Sequence, residues 1–228
     1  DAVVDQLYPY GVDQELLASH AQLAPYKTMP HFSVLSHILT EQQPDIVLFG
    51  ATCIGRDLAP RIASYHRCVL TADCTSLEIG SHTDAKTQTT YDNILLQVRP
   101  AFGGNIIATI VNARNWPQMA TVREGVMKPL DPQPGRTGEL VRHAAGLDGV
   151  DIPVEVLEIV RRHSSVNLKG ARIIVAGGAG VGSKENFKLL HDLADAIGGA
   201  VGGSRAAVDL GYCEHERQIG QTGVTVRP

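Results

Sequence analysis

Three short segments near the end of the chain combine glycines with polar side chains that could bind a phosphate-containing ligand. They read GGAGVGS at residues 177–183, GGSR at residues 202–205 and IGQTG at residues 219–223. Glycine lets a phosphate approach the backbone because no Cβ intervenes, and hydroxyl, amide and guanidinium groups supply hydrogen-bond donors. Together the three segments predict a site for a nucleotide cofactor.

Each segment also has a structural interpretation that the residues alone leave open. The first could be a glycine turn that packs a strand on a helix, and the third an ordinary polar turn. Arg205 could contact an anionic cofactor, or it could pair with Asp209 on the surface of a helix. The GxGxG spacing of residues 178–182 differs from the GxGxxG fingerprint, and no acidic residue follows the next strand to hold a ribose. An NAD-dependent dehydrogenase is therefore disfavoured.

The first half of the chain offers further candidates for anion binding. Residues 50–56 repeat the order of strand, glycine turn and helix, with Thr52 and Arg56 at the helix start. This segment could bind an anion or simply close the turn. Arg99 stands where a loop joins two predicted strands, Arg123 follows further on, and a buried arginine needs an anionic partner. No nucleophile–base pair and no GxSxG motif accompanies them, so the sequence indicates cofactor binding without acid–base chemistry.

Strands and helices must position these loops, and the hydrophobic pattern predicts both. Short continuous apolar runs, typical of buried parallel strands, alternate with segments of helical spacing. We therefore expect an α/β protein made of two Rossmann-like units with mainly parallel sheets. Helices are predicted at residues 31–40, 56–64 and 153–163 and from residue 183 onward, and strands at 45–49, 69–73, 94–99, 105–111, 139–141, 173–175 and 200–201, with an exposed turn at 81–91.

A cluster of prolines and glycines, KPLDPQPGRTG at residues 128–138, marks a boundary between the two units. We predict an N-terminal α/β domain over residues 1–130, a linker and returning segment over residues 131–150, and a second domain over residues 151–228.

Composition argues against several classes of function. The 228 residues carry a formal net charge of −4 and no run of lysine and arginine, which disfavours nucleic acid as a partner. No apolar run approaches the roughly 20 residues that span a bilayer. The four cysteines lack CxxC spacing and the nine histidines are scattered, so we expect reduced thiols and no metal site.

Longer segments resemble the electron transfer flavoprotein α-subunit family, which includes FixB proteins. GSKENFKLLHDLADAIGGAVGGSRAAVDLGY at residues 182–212 and QIGQTGVTV at residues 218–226 resemble its flavin-binding domain. PDIVLFGATCIGRDLAPRIA at residues 44–63 and LTADCTSLEI at residues 70–79 resemble its N-terminal domain. RPAFGGNIIATI and PQMATVREGVM are most similar to the form found in anaerobes, including flavin-based electron-bifurcating complexes.

The resemblance implies an FAD-binding subunit that passes electrons between a partner dehydrogenase and an acceptor. It would pair with a β subunit and serve an acyl-CoA or other dehydrogenase. In bifurcating members a second FAD lies against the first domain, and NADH and ferredoxin take part. Carried over by motif position, the residues that contact FAD are Gly178, Ala179, Gly180, Ser204, Arg205, Ile219, Gly220, Gln221 and Thr222. Arg123 would face the second flavin, with Arg99 as a further candidate.

The chain departs from the family pattern in three ways, which bear on the expected cofactor site. Ala179 stands where the family often has an arginine against the flavin. The chain begins partway into the family's first domain, and it stops before the later FAD contacts. We therefore expect the FAD-binding domain of this chain to be incomplete and to supply only part of the cofactor site.

Two other functions stay open on the sequence. The chain could belong to a simple one-electron carrier with one FAD, and the glycine segments alone would also suit a nucleotide-binding α/β module without a redox role. The sequence leaves open the dehydrogenase that is served and the direction of electron flow. The resemblance implies a location in the bacterial cytoplasm, or in the mitochondrial matrix if the source is eukaryotic.

Overall fold

The chain folds into two α/β units in a computed structural model that describes residues 3–4, 6–101, 106–160, 166–220 and 222–226. Its contacts divide between the compact units Asp1–Leu157 and Glu158–Pro228. Most strand pairings are parallel, as expected for the predicted fold class. The predicted domain limits at residues 130 and 150 stay a prediction.

A three-stranded parallel sheet forms the centre of the first unit. In chain order the elements of this unit are β1 (Gln14–Ala18), α1 (Thr28–Gln42), β2 (Ile46–Gly50), α2 (Cys53–Tyr65), β3 (Leu70–Cys74), β4 (Ser76–Thr83), β5 (Thr90–Ala101), β6 (Ile106–Val111), β7 (Gln118–Val122) and β8 (Glu139–His143). The central sheet has the strand order β2-β7-β3. Helices α1 and α2 cover it, with Ile62 and Met119 fully buried between the layers. Burial of these side chains from water is the main force that holds helices on the sheet.

The turn between β2 and α2 is tight, which explains its glycines. The Thr52 hydroxyl caps α2 by accepting a hydrogen bond from the Gly55 backbone N–H at 3.1 Å. A Cβ at Gly55 would overlap the carbonyl oxygen of Gly50, so this position requires glycine. Helix α2 begins at Cys53, three residues before the predicted start, and Pro60 lies in its interior.

Two smaller sheets complete the first unit. Strands β4, β5 and β6 form an antiparallel sheet in that order, and the predicted turn at residues 81–91 includes the end of β4 and the start of β5. Strands β1 and β8 pair in parallel, so the prediction that residues 139–141 form a strand returning to the first unit is confirmed.

The second unit is a parallel strand pair with helices against it. It contains β9 (Ile174–Gly177), α3 (Lys188–Ile197), β10 (Ala200–Gly203) and α4 (Arg205–Asp209). Its core is formed by Phe187, Ala194, Val201 and Ala207. The prediction that Ser183 begins α3 is wrong by five residues, because residues 183–187 form turns first. Ser183 caps this turn instead, accepting a hydrogen bond from the Asn186 N–H at 3.2 Å.

The predicted helix at residues 153–163 is not formed over its described part. Residues 151–160 have no regular secondary structure, and residues 161–163 lie outside the described residues. Leu157 is 89% exposed and Val160 is 72% exposed. An amphipathic pattern forms a stable helix mainly when its apolar face packs against a core, and in the described part of the chain these side chains are exposed instead. Among the described residues, no helix has both the length and the apolar character needed to cross a bilayer.

Candidate functional site

The first two predicted segments meet at the carboxyl edge of the β9–β10 pair. Both strands end there, with Gly203 opposite Gly177 in the register. The Ser204 backbone N–H donates to the Gly177 carbonyl oxygen at 2.9 Å, and a Cβ at Gly178 would lie 3.5 Å from the Ser204 hydroxyl oxygen. Ligands of open α/β sheets bind at this edge, so the location agrees with the predicted function.

The third segment joins the same edge through Gln218. Gln218 forms a parallel bridge with Gly203, and the Ile219 N–H donates to the Gly203 carbonyl at 2.8 Å. The buried Gln218 amide then donates to the Thr222 hydroxyl at 2.8 Å. Gln218 thus ties Thr222 to β10, the strand that ends at Gly203 just before Ser204, a role that the sequence analysis missed. Gln221 lies outside the described residues.

The glycines of the second segment have a packing role. A Cβ at Gly202 would overlap the Ile219 side chain, and one at Gly203 would overlap the Cys213 sulfur. Glycine is required here because the last segment and the chain after α4 pass directly over β10. In the third segment, Gly220 has φ +115°, a conformation that disfavours side chains.

Ser204 has a structural role that leaves its hydrogen available. As the N-cap of α4, its hydroxyl oxygen accepts a hydrogen bond from the Ala207 N–H at 3.3 Å. A hydroxyl has one donor hydrogen besides its acceptor lone pairs, so Ser204 can cap the helix and still donate to an anion. The same holds for Thr222, whose oxygen accepts from Gln218.

Arg205 forms the surface pair that the sequence left as an alternative. Its Nε lies 3.5 Å from an Asp209 carboxylate oxygen, and its side chain is 68% exposed. An exposed ion pair of this kind contributes at most about 1 kcal/mol. A bound anion could therefore recruit the guanidinium from Asp209, so the pair does not exclude cofactor binding.

Ala179 and Gly180 lie in a short 3-10 helix, Ala179–Val181, that follows β9. Among the residues that the structure describes, no heavy atom lies within 4 Å of a Cβ placed at Gly180, so the space beside it is open to them. Tyr212 anchors this loop by donating its hydroxyl hydrogen to the Gly182 carbonyl at 2.9 Å. The open space, the hydroxyls and the guanidinium fit an anionic dinucleotide such as FAD.

Arg123 lies at the equivalent edge of the first sheet, where β2, β7 and β3 end. Its Nε donates to Asp73 at 3.1 Å, and a second guanidinium nitrogen donates to the other oxygen of the same carboxylate. Arg56 also contacts Asp73, at 3.3 Å. The Arg123 hydrogen bonds lower the pKa of the Asp73 carboxyl, and Arg56 and Arg99 act in the same direction. The sequence analysis missed Asp73, although an acidic residue at the end of a predicted strand was a usable signal.

Two family models together match most of the chain. The model described as electron transfer flavoprotein domain matches residues 1–147, and the electron transfer flavoprotein FAD-binding domain matches residues 167–228.

Curated relatives give the same result. The electron transfer flavoprotein subunit alpha of Thermoanaerobacterium thermosaccharolyticum is 43% identical over 223 residues, which cover 97% of this chain and 64% of that protein. Protein FixB of Clostridium saccharobutylicum is 43% identical over 226 residues, covering 99% of this chain and 65% of its own length. The acryloyl-CoA reductase electron transfer subunit beta of Anaerotignum propionicum is 39% identical over 248 residues, which cover 100% of this chain and 67% of that protein. The chain thus spans just under two thirds of the length of the first two relatives.

Proposed function

Because the chain belongs to the electron transfer flavoprotein α-subunit family, which includes FixB, we propose that it binds FAD at the carboxyl edge of β9 and β10. In this role it passes electrons between a partner dehydrogenase and an acceptor. The observation that supports the proposal most strongly is the meeting of three polar, glycine-containing segments at one sheet edge.

The residues of this edge would hold the cofactor through donated hydrogen bonds. Bound FAD supplies the electron-transfer chemistry, and the protein supplies position and electrostatics. Ser204 and Thr222 donate hydroxyl hydrogens, and Arg205 donates from its guanidinium once it leaves Asp209. Gly178, Ala179 and Gly180 would present backbone to it, and Ile219 and Gly220 belong to the third segment at the same edge. Gln221 belongs to the proposed set on the motif alone.

The proposed partners follow from the family. We infer that the chain pairs with an electron transfer flavoprotein β subunit and serves an acyl-CoA or other dehydrogenase. The name of the Anaerotignum relative, an electron transfer subunit of acryloyl-CoA reductase, supports a CoA-dependent oxidoreductase as one such partner. The bacterial relatives support action in the bacterial cytoplasm.

Within this function we favour an electron-bifurcating complex that uses NADH and ferredoxin. The second FAD of such a complex would lie against the first unit, with Arg123 and Arg99 facing it. Arg123 and Arg56 both contact the Asp73 carboxylate, so two guanidinium groups lie at the carboxyl edge of β3 and β7. Guanidinium groups bind phosphates and anionic flavins, which supports this proposal. The alternative is a simple carrier with a single FAD.

The cofactor content of the complete α subunit, purified together with its β subunit, tests this function. A flavin absorbance band at ~450 nm and two FAD per heterodimer with reactivity toward NADH support bifurcation. One FAD with AMP supports the simple carrier. A colourless complex that holds adenine nucleotide without flavin would instead support a non-redox nucleotide-binding module.

The variant Arg205→Ala tests the site itself. We expect it to lower FAD retention or shift the flavin midpoint potential, because it removes a hydrogen-bond donor from the carboxyl edge of β9 and β10. Asp209→Ala is the matched control, since it breaks the same ion pair and leaves Arg205 in place. Equal flavin loss in both variants would show that only the pair matters, and unchanged flavin content and potential in Arg205→Ala would refute the assignment.

A further inference from the structure

We propose that Asp73 is a positioning residue that holds the guanidinium groups of Arg123 and Arg56 at the carboxyl edge of the first sheet, aimed at the anionic part of the second flavin. The inference rests on the proposed function, because it assigns a residue to the second of the two flavin sites. It adds Asp73, which no motif identified, and gives Arg123 a defined orientation.

The backbone directs the Asp73 carboxylate to this edge. The pairing of β3 with β7 shifts between Thr71 and Cys74, and Asp73 takes the left-handed conformation at φ +64°. Its backbone N–H donates to the Thr121 hydroxyl on β7 at 2.8 Å. The irregularity turns the end of β3, and the hydrogen bond to Thr121 fixes it against the central strand. Non-glycine residues adopt this conformation uncommonly, so an unusual local structure places the carboxylate.

The carboxylate in turn fixes two arginines from different elements. Arg123, which directly follows β7, binds both carboxylate oxygens, the geometry in which a guanidinium is held most rigidly. Its side chain is only 24% exposed. Arg56, near the start of α2, reaches the same carboxylate while its Nε donates to the Ala51 carbonyl at 2.9 Å. Asp73 therefore links three elements at this edge: the ends of β3 and β7 and the start of α2.

The local charge points to an anionic ligand. The guanidinium groups of Arg123 and Arg56 both contact the single Asp73 carboxylate, so two cations share one anion. Each guanidinium carries five N–H donors, whereas a carboxylate accepts about four hydrogen bonds. Arg56 is 57% exposed, and so part of this donor excess faces solvent. A structural ion pair needs one arginine, whereas two arginines on one carboxylate leave donors for a second anion.

The test uses the complete α subunit with its β subunit and FAD as the probe. Asp73→Asn keeps the shape of the side chain but removes the charge that orients both arginines, and Arg123→Lys keeps the charge but cannot bind bidentately. We expect both variants to bind the second FAD about tenfold more weakly, the effect of losing oriented charge-assisted hydrogen bonds. The midpoint potential of the second flavin should shift as well, whereas that of the flavin in the other unit stays at its wild-type value.

Asp84→Asn is the matched control. Asp84 lies on the exposed β4–β5 hairpin of the same unit, and its carboxylate pairs with an arginine, Arg114, at 3.3 Å. Second-flavin affinity in Asp73→Asn equal to that of Asp84→Asn would overturn the proposal. Loss of both flavins together with a lowered Tm would overturn it too, since it would show a purely structural role. If Asp73→Asn does not fold, Asp73→Glu, which displaces the carboxylate by one methylene, takes its place under the same criteria. A wild-type heterodimer with a single flavin would refute the second-flavin site itself before any variant is compared.

Discussion

At the scale of single residues, the glycines of the second unit differ in what they do, although they look alike in the sequence. Gly202 and Gly203 allow Ile219 and Cys213 to pass over β10. Gly178 and Gly180 have room beside them and lie where a ligand would approach. The first pair is required by packing, and the second pair is not required by packing and belongs to the proposed cofactor site.

This difference predicts opposite responses to an added methyl group. We expect Gly203→Ala to lower the free energy of unfolding by about 2 kcal/mol, because the new Cβ overlaps the Cys213 sulfur. Gly178→Ala should change it by less than about 1 kcal/mol, because its Cβ would lie 3.5 Å from the nearest atom. Urea unfolding of the two variants without added flavin measures both effects. Equal losses would contradict the packing explanation.

At the scale of elements, the start of α4 combines a structural and a predicted binding role in Ser204. Its oxygen caps the helix, and its hydroxyl lies beside Gly178 at the carboxyl edge of β9 and β10, the proposed cofactor site. A substitution that keeps the cap but changes the charge separates the two roles.

Ser204→Asp is that substitution. Aspartate caps helices about as well as serine, so we expect a free energy of unfolding within about 0.5 kcal/mol of wild type. Its carboxylate would repel an anionic cofactor, and flavin content should fall sharply. Ser204→Ala should lose about 1 kcal/mol of stability and retain more flavin than Ser204→Asp. Full flavin content in Ser204→Asp would show that Ser204 only caps the helix.

The central strand β7 shows why one essential element escaped sequence analysis. Its sequence, QMATV, is short and contains buried polar residues, so it shows neither alternation nor a continuous apolar run. Gln118 is fully buried, and its amide is satisfied by two hydrogen bonds. It accepts one from the Leu95 N–H at 2.6 Å and donates one to the Asn112 carbonyl oxygen at 2.8 Å.

Two buried glutamines therefore should respond differently to the same change. Gln118→Leu leaves the Leu95 N–H without its acceptor, and we expect a loss of about 2 kcal/mol in the free energy of unfolding. Gln97 is also fully buried, but its amide has no hydrogen-bond partner in the described part of the chain. Gln97→Leu should be neutral or stabilising. Thermal unfolding distinguishes the two, and a large loss in Gln97→Leu would reveal a partner for that amide.

At the scale of the whole molecule, each unit has its own parallel sheet and its own group of polar residues at the carboxyl edge. The second unit provides Ser204, Arg205 and Thr222, and the first provides Arg123, Arg56 and Asp73. The proposed function assigns one flavin to each edge.

This assignment predicts that two arginine variants remove different flavins. In the complete heterodimer, Arg205→Ala should lower the occupancy of one flavin and Arg123→Gln that of the other, because each removes a cationic donor from a separate edge. Flavin counting and redox titration of both variants and of the double variant measure this. Lower occupancy of the same flavin in both single variants would contradict the existence of two separate sites.

The sequence by itself determined the family, the α/β class and the places where strands give way to glycine loops. The family prediction is confirmed by the matched family models and relatives, whereas the individual cofactor contacts stay predictions. Local signals suffice for these features, since periodicity and glycine turns depend on neighbours in the chain.

Only the tertiary structure decided which side chains meet. It placed β7 between β2 and β3, brought Asp73 to Arg123 across 50 residues of sequence, and tied Thr222 to β10 through Gln218. It also left residues 151–160 without a helix despite their helical pattern. The physical reason is the same in each case: strand pairing, close approach over glycine and burial of an apolar face depend on distant segments, which no local pattern encodes.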